Sequence, residues 1–180
     1  MIAAGPQVPG AVIRSFRGHT PQLGTGVFVA EQTAIIGDVV IGAGSTIWYG
    51  TVIRGDVMPI RIGAATSIQD NSVVHVTGDV SGTVVGDRVT VGHRVILHAC
   101  TVEDDCLIGM GSIILDRARI GRGSIVGAGA VVTPGTIVPP GSLILGAPAR
   151  VKRPVTDEER AWIASSAAHY VDLGRAYLAG

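Results

Sequence analysis

The chain has 180 residues, enough for one full core and a single domain with at most a terminal appendage. Fourteen basic residues cancel fourteen acidic ones and no Lys/Arg cluster runs along the chain, so the electrostatic footprint of a nucleic-acid partner is missing. Although 47% of residues are hydrophobic, the apolar runs fall far short of the roughly 20 residues that cross a bilayer, and Met1 to Gly10 lacks the charged start and apolar stretch of a secretory signal. No membrane partner and a cytoplasmic location are expected.

From Val29 onward an aliphatic residue recurs at every sixth position: Ile35, Ile41, Ile47, Ile53, then Ile62, Ile68, Val74. The series resumes at Val85, Val91 and Leu97, takes one five-residue step to Val102, and runs through Ile108, Ile114, Ile120, Val126 and Val132 to Val138. A period of six fits neither a helix nor a long alternating strand; it gives a short strand plus a corner, repeated. Three units close an eighteen-residue coil, and coils stacked at about 4.8 Å make an all-β solenoid, a left-handed parallel β-helix of about six coils over residues 1–150. With 26 Gly and only 4% aromatic residues, its core is narrow and filled by β-branched side chains. A Gly often follows the aliphatic residue, as at Ile62-Gly63 and Ile108-Gly109, and is expected to supply unusual corner angles. Small residues such as Thr51, Ser72 and Ser112 recur four places after it.

The period breaks around Met58-Pro59-Ile60, with three extra residues, and around Thr77-Gly78-Asp79, with five. Both are expected to leave a corner as loops. After Leu143 the repeat fades, and Thr156-Asp157-Glu158-Glu159 reads as a capping box opening a helix to about Leu178. This C-terminal segment, residues 151–180, lies on the outside of the prism as part of the same unit. Cys100 and Cys106 form no C-x-x-C pair and read as two buried thiols, a disulfide between them being disfavoured in a reducing cytosol.

Subtracting the insertions locates the histidines. His75 and His98 each follow an inward aliphatic residue and lie 23 apart, one coil plus the five-residue insertion. They therefore stack on one outer face with Arg54 below them. His93 and Gln69 belong to the preceding face. Zinc takes three protein ligands plus water at a catalytic site, and two stacked imidazoles supply only two. A three-fold assembly lets His93 of the partner subunit reach them, so the spacing argues for a homotrimer with shared sites. The alternative is surface histidines on polar corners, which is also the reading of His19 and His169; Arg54 and Asp56 equally read as a surface ion pair.

Arg54-Gly55-Asp56, Ile68-Gln69-Asp70-Asn71, Val74-His75 and Gly92-His93-Arg94-Val95-Ile96-Leu97-His98 match, in order and spacing, the signature of the gamma-class carbonic anhydrases. The chain resembles that hexapeptide-repeat family over about residues 12 to 178. The resemblance implies zinc, or iron or cobalt, on His75, His98 and His93 of the partner subunit, and reversible hydration of carbon dioxide to bicarbonate. A metal lowers the pKa of its water to about 7, Gln69 orients the hydroxide, Arg54 and Asp56 organise the interface, Asp70 supports a ligand from behind, and Tyr170 closes the pocket. The glutamates that pass protons to solvent in the family are absent: Val57 follows Asp56, and Thr77-Gly78 follow His75. Two other functions compete. One is an acyl-CoA thioesterase or acyltransferase of the hexapeptide family, the other a non-enzymatic trimeric scaffold.

Overall fold

A computed structural model describes residues 8–180; most of the stretch read for a secretory start lies outside them. The chain winds as a left-handed parallel β-helix with its single helix on the outside. There are seven coils, one more than the repeat count gives. The extra units are Ile13, Leu23 and Ile144, which pair with Ile35, Ile41 and Val126. Leu23 and Ile144 stand six residues outside Val29 and Val138 and simply extend the series at its two ends, whereas Ile13 lies ten residues before Leu23 and is hidden by the irregular stretch between Arg14 and Gln22.

Inward aliphatic residues from Val29 to Ile144 form one column, most of them wholly buried. Each rung adds one layer, and no rung could bury its own aliphatic residue without the next. Two faces of the prism join into a 12-stranded sheet because the strands Ala34–Ile41 and Val52–Ile62 run unbroken around a corner. The first insertion is therefore no loop. Its Ile60 is fully buried and pairs with Val39 and Thr83. The second insertion does leave the corner, as a turn closed by the Thr77–Ser81 bridge.

The glycines after the aliphatic positions act differently from expectation. The left-handed backbone angle falls two residues later, at Asn71 and Arg94 (φ 57° each) as well as at glycines. Gly63 is needed instead because a Cβ there would stand 2.5 Å from the carbonyl carbon of Gly86 in the coil above. Stacking distance, not corner angle, excludes a side chain.

The third face carries Phe28, Thr46, Ser67, Thr90, Leu107 and Ile125 outward, and the helix α1 (Asp157–Ala179) covers it. Thr156 caps α1: its hydroxyl accepts from the Glu159 amide at 3.2 Å, and the Glu159 carboxylate accepts from the Thr156 amide at 2.9 Å. Ile163, Ala167 and Gly174 are the buried ridge, whereas Trp162 is left 56% exposed. Before α1, the strand Ala149–Pro154 turns back antiparallel on Ser142–Gly146 and ends the parallel stacking.

Candidate metal centre

His75 and His98 end the strands Val73–His75 and Ile96–His98, which pair with His98 directly opposite His75. Each follows a fully buried residue, Val74 or Leu97, so alternation along the strand turns both imidazoles outward. Arg54 occupies the same position one coil earlier, since Ile53 pairs with Val74.

Carboxylates bracket the pair. His75 Nε2 lies 3.1 Å from Asp56 Oδ1, and Arg54 donates to the other oxygen of that carboxylate. His98 Nδ1 lies 2.7 Å from Asp116 Oδ1. The two remaining nitrogens, His75 Nδ1 and His98 Nε2, face each other across 3.2 Å. An ionised carboxylate only accepts, so each neutral ring keeps its proton on the side of its own carboxylate. In that tautomer the facing nitrogens would each present a lone pair, an arrangement that a cation between them would satisfy.

Both carboxylates are ionised at neutral pH. Burial is the largest influence on Asp56 and pushes its carboxyl up, but hydrogen bonds from Arg54 and His75 together reverse this and hold it below the ordinary 3.8. Asp116 is held low by the His98 hydrogen bond and then by Thr77. The bridging cation is not readily a proton. Burial lowers the His75 pKa below its ordinary 6.5, against the opposing pull of the Asp56 hydrogen bond. A divalent metal fits the donors better: two imidazoles bonded at about 2.0–2.1 Å in a tetrahedron hold their nitrogens about 3.3–3.4 Å apart, close to the 3.2 Å found.

His93 stands elsewhere. It sits on the corner after Thr90–Val91, half-exposed, with Nδ1 2.8 Å from Asp70 Oδ2, which leaves Nε2 turned outward. Among the described residues, no group of three or more His, Cys, Asp or Glu within one chain is placed to hold a metal. One chain thus offers two convergent imidazoles and, separately, a third backed in the same way.

Gln69, His93 and Tyr170 line one cleft of about 330 Å³ between the third face and α1, walled by Leu107, Ile125 and Trp162. The Gln69 side chain is almost buried, and Tyr170 packs edge-on against Trp48 with ring centroids 5.9 Å apart. Burial, then the charge of Asp70, raises the Tyr170 pKa. Sequence reasoning missed Asp116 and Thr77, whose hydroxyl donates to Asp116 Oδ2 at 2.7 Å. The one signal for Asp116 is its distance of 18 residues from His98, one residue past the level position in a coil that the five-residue step from Leu97 to Val102 shortens to 17. Cys100 and Cys106 are unpaired and buried, and burial pushes both thiols up to about 12, so neither is a nucleophile or ligand at neutral pH. His19, on the surface 4.0 Å from Asp38, and His169, beside Tyr170, lie outside both groups. No helix among the described residues is long and apolar enough to cross a membrane.

Residues 99–134 match the family model described as bacterial transferase hexapeptide (six repeats). The carbonic anhydrase of Geobacillus kaustophilus is 50% identical over 168 residues, covering 93% of this chain and 92% of that protein. Gamma carbonic anhydrase 1, mitochondrial, of Arabidopsis thaliana is 48% identical over 157 residues, 84% of this chain; the chain spans 57% of that relative's length. A crystal structure of a hexapeptide transferase family protein from Anaplasma phagocytophilum superposes with a TM-score of 0.89 at 46% identity, covering 92% of this chain and 98% of that one.

Proposed function

The chain belongs to the gamma carbonic anhydrase family of hexapeptide-repeat proteins, and on that premise we propose that it is a homotrimeric, metal-dependent enzyme that reversibly hydrates carbon dioxide to bicarbonate. The observation that carries the reading is the pair of imidazole nitrogens facing each other at 3.2 Å with a carboxylate behind each ring. His75 and His98 of one protomer and His93 of the partner subunit are the ligands; the donors suit zinc, and iron or cobalt equally. When bound, the metal supplies a water acidified enough to act as nucleophile at neutral pH.

The chain's own residues do the rest. Asp56 and Asp70 fix the ring protons of His75 and His93 so that the opposite nitrogen of each is a donor pair. Arg54 keeps Asp56 ionised and aimed. Gln69, nearly buried in the cleft wall, offers its amide to a small polar group at the site, and Tyr170 shuts the far side of the cleft. Val57 and Gly78 carry no ionisable group where the family's loop glutamates are expected, so proton export relies on buffer and turnover is slow.

Trimerisation draws support from the face that bears His75 and His98. Its outward row reads Val12, Ala34, Val52, Val73, Ile96, Ile113 and Val131, paired in register. Val12, Val73 and Ile96 are 54%, 38% and 37% exposed, and a continuous aliphatic ladder beside a half-built site is the kind of surface that a second copy covers. The cytoplasm, a reducing compartment, suits the two unpaired thiols.

A second reading, hydrolysis of a short acyl thioester, is favoured by the apolar cleft beside His93, which is far larger than carbon dioxide requires. Purification without added metal, followed by metal analysis, native mass and stopped-flow carbon dioxide hydration, tests the proposal. We expect a trimer with about one metal per chain and hydration that falls to background, together with the metal, in His98→Ala. Hydration that survives His98→Ala contradicts it. Bound metal without hydration leaves the scaffold or the thioesterase, which a panel of acyl-CoA substrates separates.

A further inference from the structure

We propose that Asp116, clamped by Thr77 of the inserted turn, is the positioning residue that sets the tautomer of His98 and so aims its Nε2 at the metal position. The inference rests on the metal reading above but concerns a different pair of residues. His98 is the only one of the three histidines whose carboxylate comes from the coil above it. Asp56 and Asp70 lie in earlier coils than the rings they hold. Asp116 therefore closes the top of a ladder that runs Arg54, Asp56, His75, His98, Asp116, Thr77, each member touching the next.

Three observations argue that this contact is built to orient. Asp116 presents both oxygens to partners, Oδ1 to His98 Nδ1 at 2.7 Å and Oδ2 to the Thr77 hydroxyl at 2.7 Å, so its carboxylate plane is fixed at two points. Thr77 also stands 3.5 Å from His98 Nδ1, which packs the turn against the ring edge. Finally, Thr77 sits where the five-residue insertion leaves the coil, and its backbone is anchored to Ser81 across that turn. The insertion thus gives the chain a hydroxyl at a place where the bare repeat has none. Without these contacts a neutral imidazole in water has no reason to keep its proton on Nδ1. With the proton on Nε2, His98 points a hydrogen, not a lone pair, at the metal position.

The test is run on the full-length protein labelled with ¹⁵N-histidine, metal-stripped and then titrated with zinc against a chelator. Long-range ¹H–¹⁵N spectra read the tautomer of His98 directly. In wild type we expect the Nδ1–H form. Asp116→Leu should shift His98 toward Nε2–H and weaken zinc about 10–100-fold; Thr77→Val should do the same to a smaller extent, and Thr77→Ser should retain most of both. Asp116 and Thr77 lie on the outside of the coil, so the variants keep the fold, and an unchanged melting curve checks this. A His98 that stays Nδ1–H in both Asp116→Leu and Thr77→Val, with zinc affinity within about twofold of wild type, overturns the proposal. If wild type takes up no zinc but the tautomer shifts in the variants, the positioning role stands and the metal reading alone fails.

Discussion

Thr51 and Ser72 occupy the same corner in successive coils and spend their hydroxyls on the coil above: Thr51 donates to the Gln69 carbonyl at 3.0 Å and Ser72 to the Gly92 carbonyl at 3.1 Å. Ser72 Oγ also accepts from the Val95 amide at 3.2 Å. Ser112, two coils above Ser72, is as fully buried, yet its hydroxyl has no partner among the described residues. The two serines look alike in sequence but differ in energy. Deleting a buried hydroxyl that satisfies two backbone groups strands both and costs about 1–3 kcal/mol, while deleting an unsatisfied one relieves a desolvation penalty. Ser72→Ala is therefore predicted to lower the unfolding midpoint in urea and Ser112→Ala to leave it unchanged or raise it. Equal losses in both would contradict this. The recurrence of small residues was legible; which of them are satisfied was not, because that depends on the backbone of the next coil. Asp116 escaped notice for a similar reason. The five-residue step from Leu97 to Val102 moves the register, so Leu115, and not Asp116, stands level with His98.

Among the elements, α1 was the easiest to read and the hardest to place. Its capping box and its length follow from local sequence, but the docking face does not: Trp162 has the helical spacing of a buried residue and stays exposed, while Gly174 carries the contact. A Cβ on Gly174 would collide with Thr46 Cγ2 and come within 3.4 Å of Phe28 Cβ. Alanine is the better helix former by about 1 kcal/mol, so propensity predicts a gain and packing a loss. Packing should win: Gly174→Ala is expected to destabilise by about 1–3 kcal/mol, measured by urea unfolding at fixed protein concentration. Adding Thr46→Ser should restore most of it, since it removes Cγ2 and keeps the oxygen that accepts from Trp48 Nε1 at 3.0 Å. No rescue by Thr46→Ser would mean that the clash lies elsewhere. The two insertions illustrate the same limit. Their positions are countable, but whether extra residues bulge or extend a strand depends on partners in other coils. Ile60, which pairs with Val39 and Thr83, is a buried strand residue for that reason.

For the molecule as a whole, the solenoid was legible because one repeated constraint, an aliphatic residue at each inward position, is written at almost every coil. Ile13, ten residues before Leu23 and with no repeat in front of it to continue, is the inward residue that counting passes over. The stacking of His75 on His98 followed from counting because β-pairing turns a known number of residues into a known height. The relation between protomers is written less openly. The proposed trimer rests on an outward aliphatic row on the histidine-bearing face and on His93, which among the described residues forms no three-ligand group with its own chain's pair.

A site divided between chains makes a demand that no site within one chain makes: two defective proteins should repair each other. Chains carrying His93→Ala keep His75 and His98, and chains carrying His98→Ala keep His93. Differently tagged and refolded together, they should give mixed trimers with about one metal each, because any ring of the two kinds contains one complete interface, while each parent trimer holds close to none. Mixed trimers with no more metal than the parents, or a full complement in His93→Ala alone, would contradict the shared site.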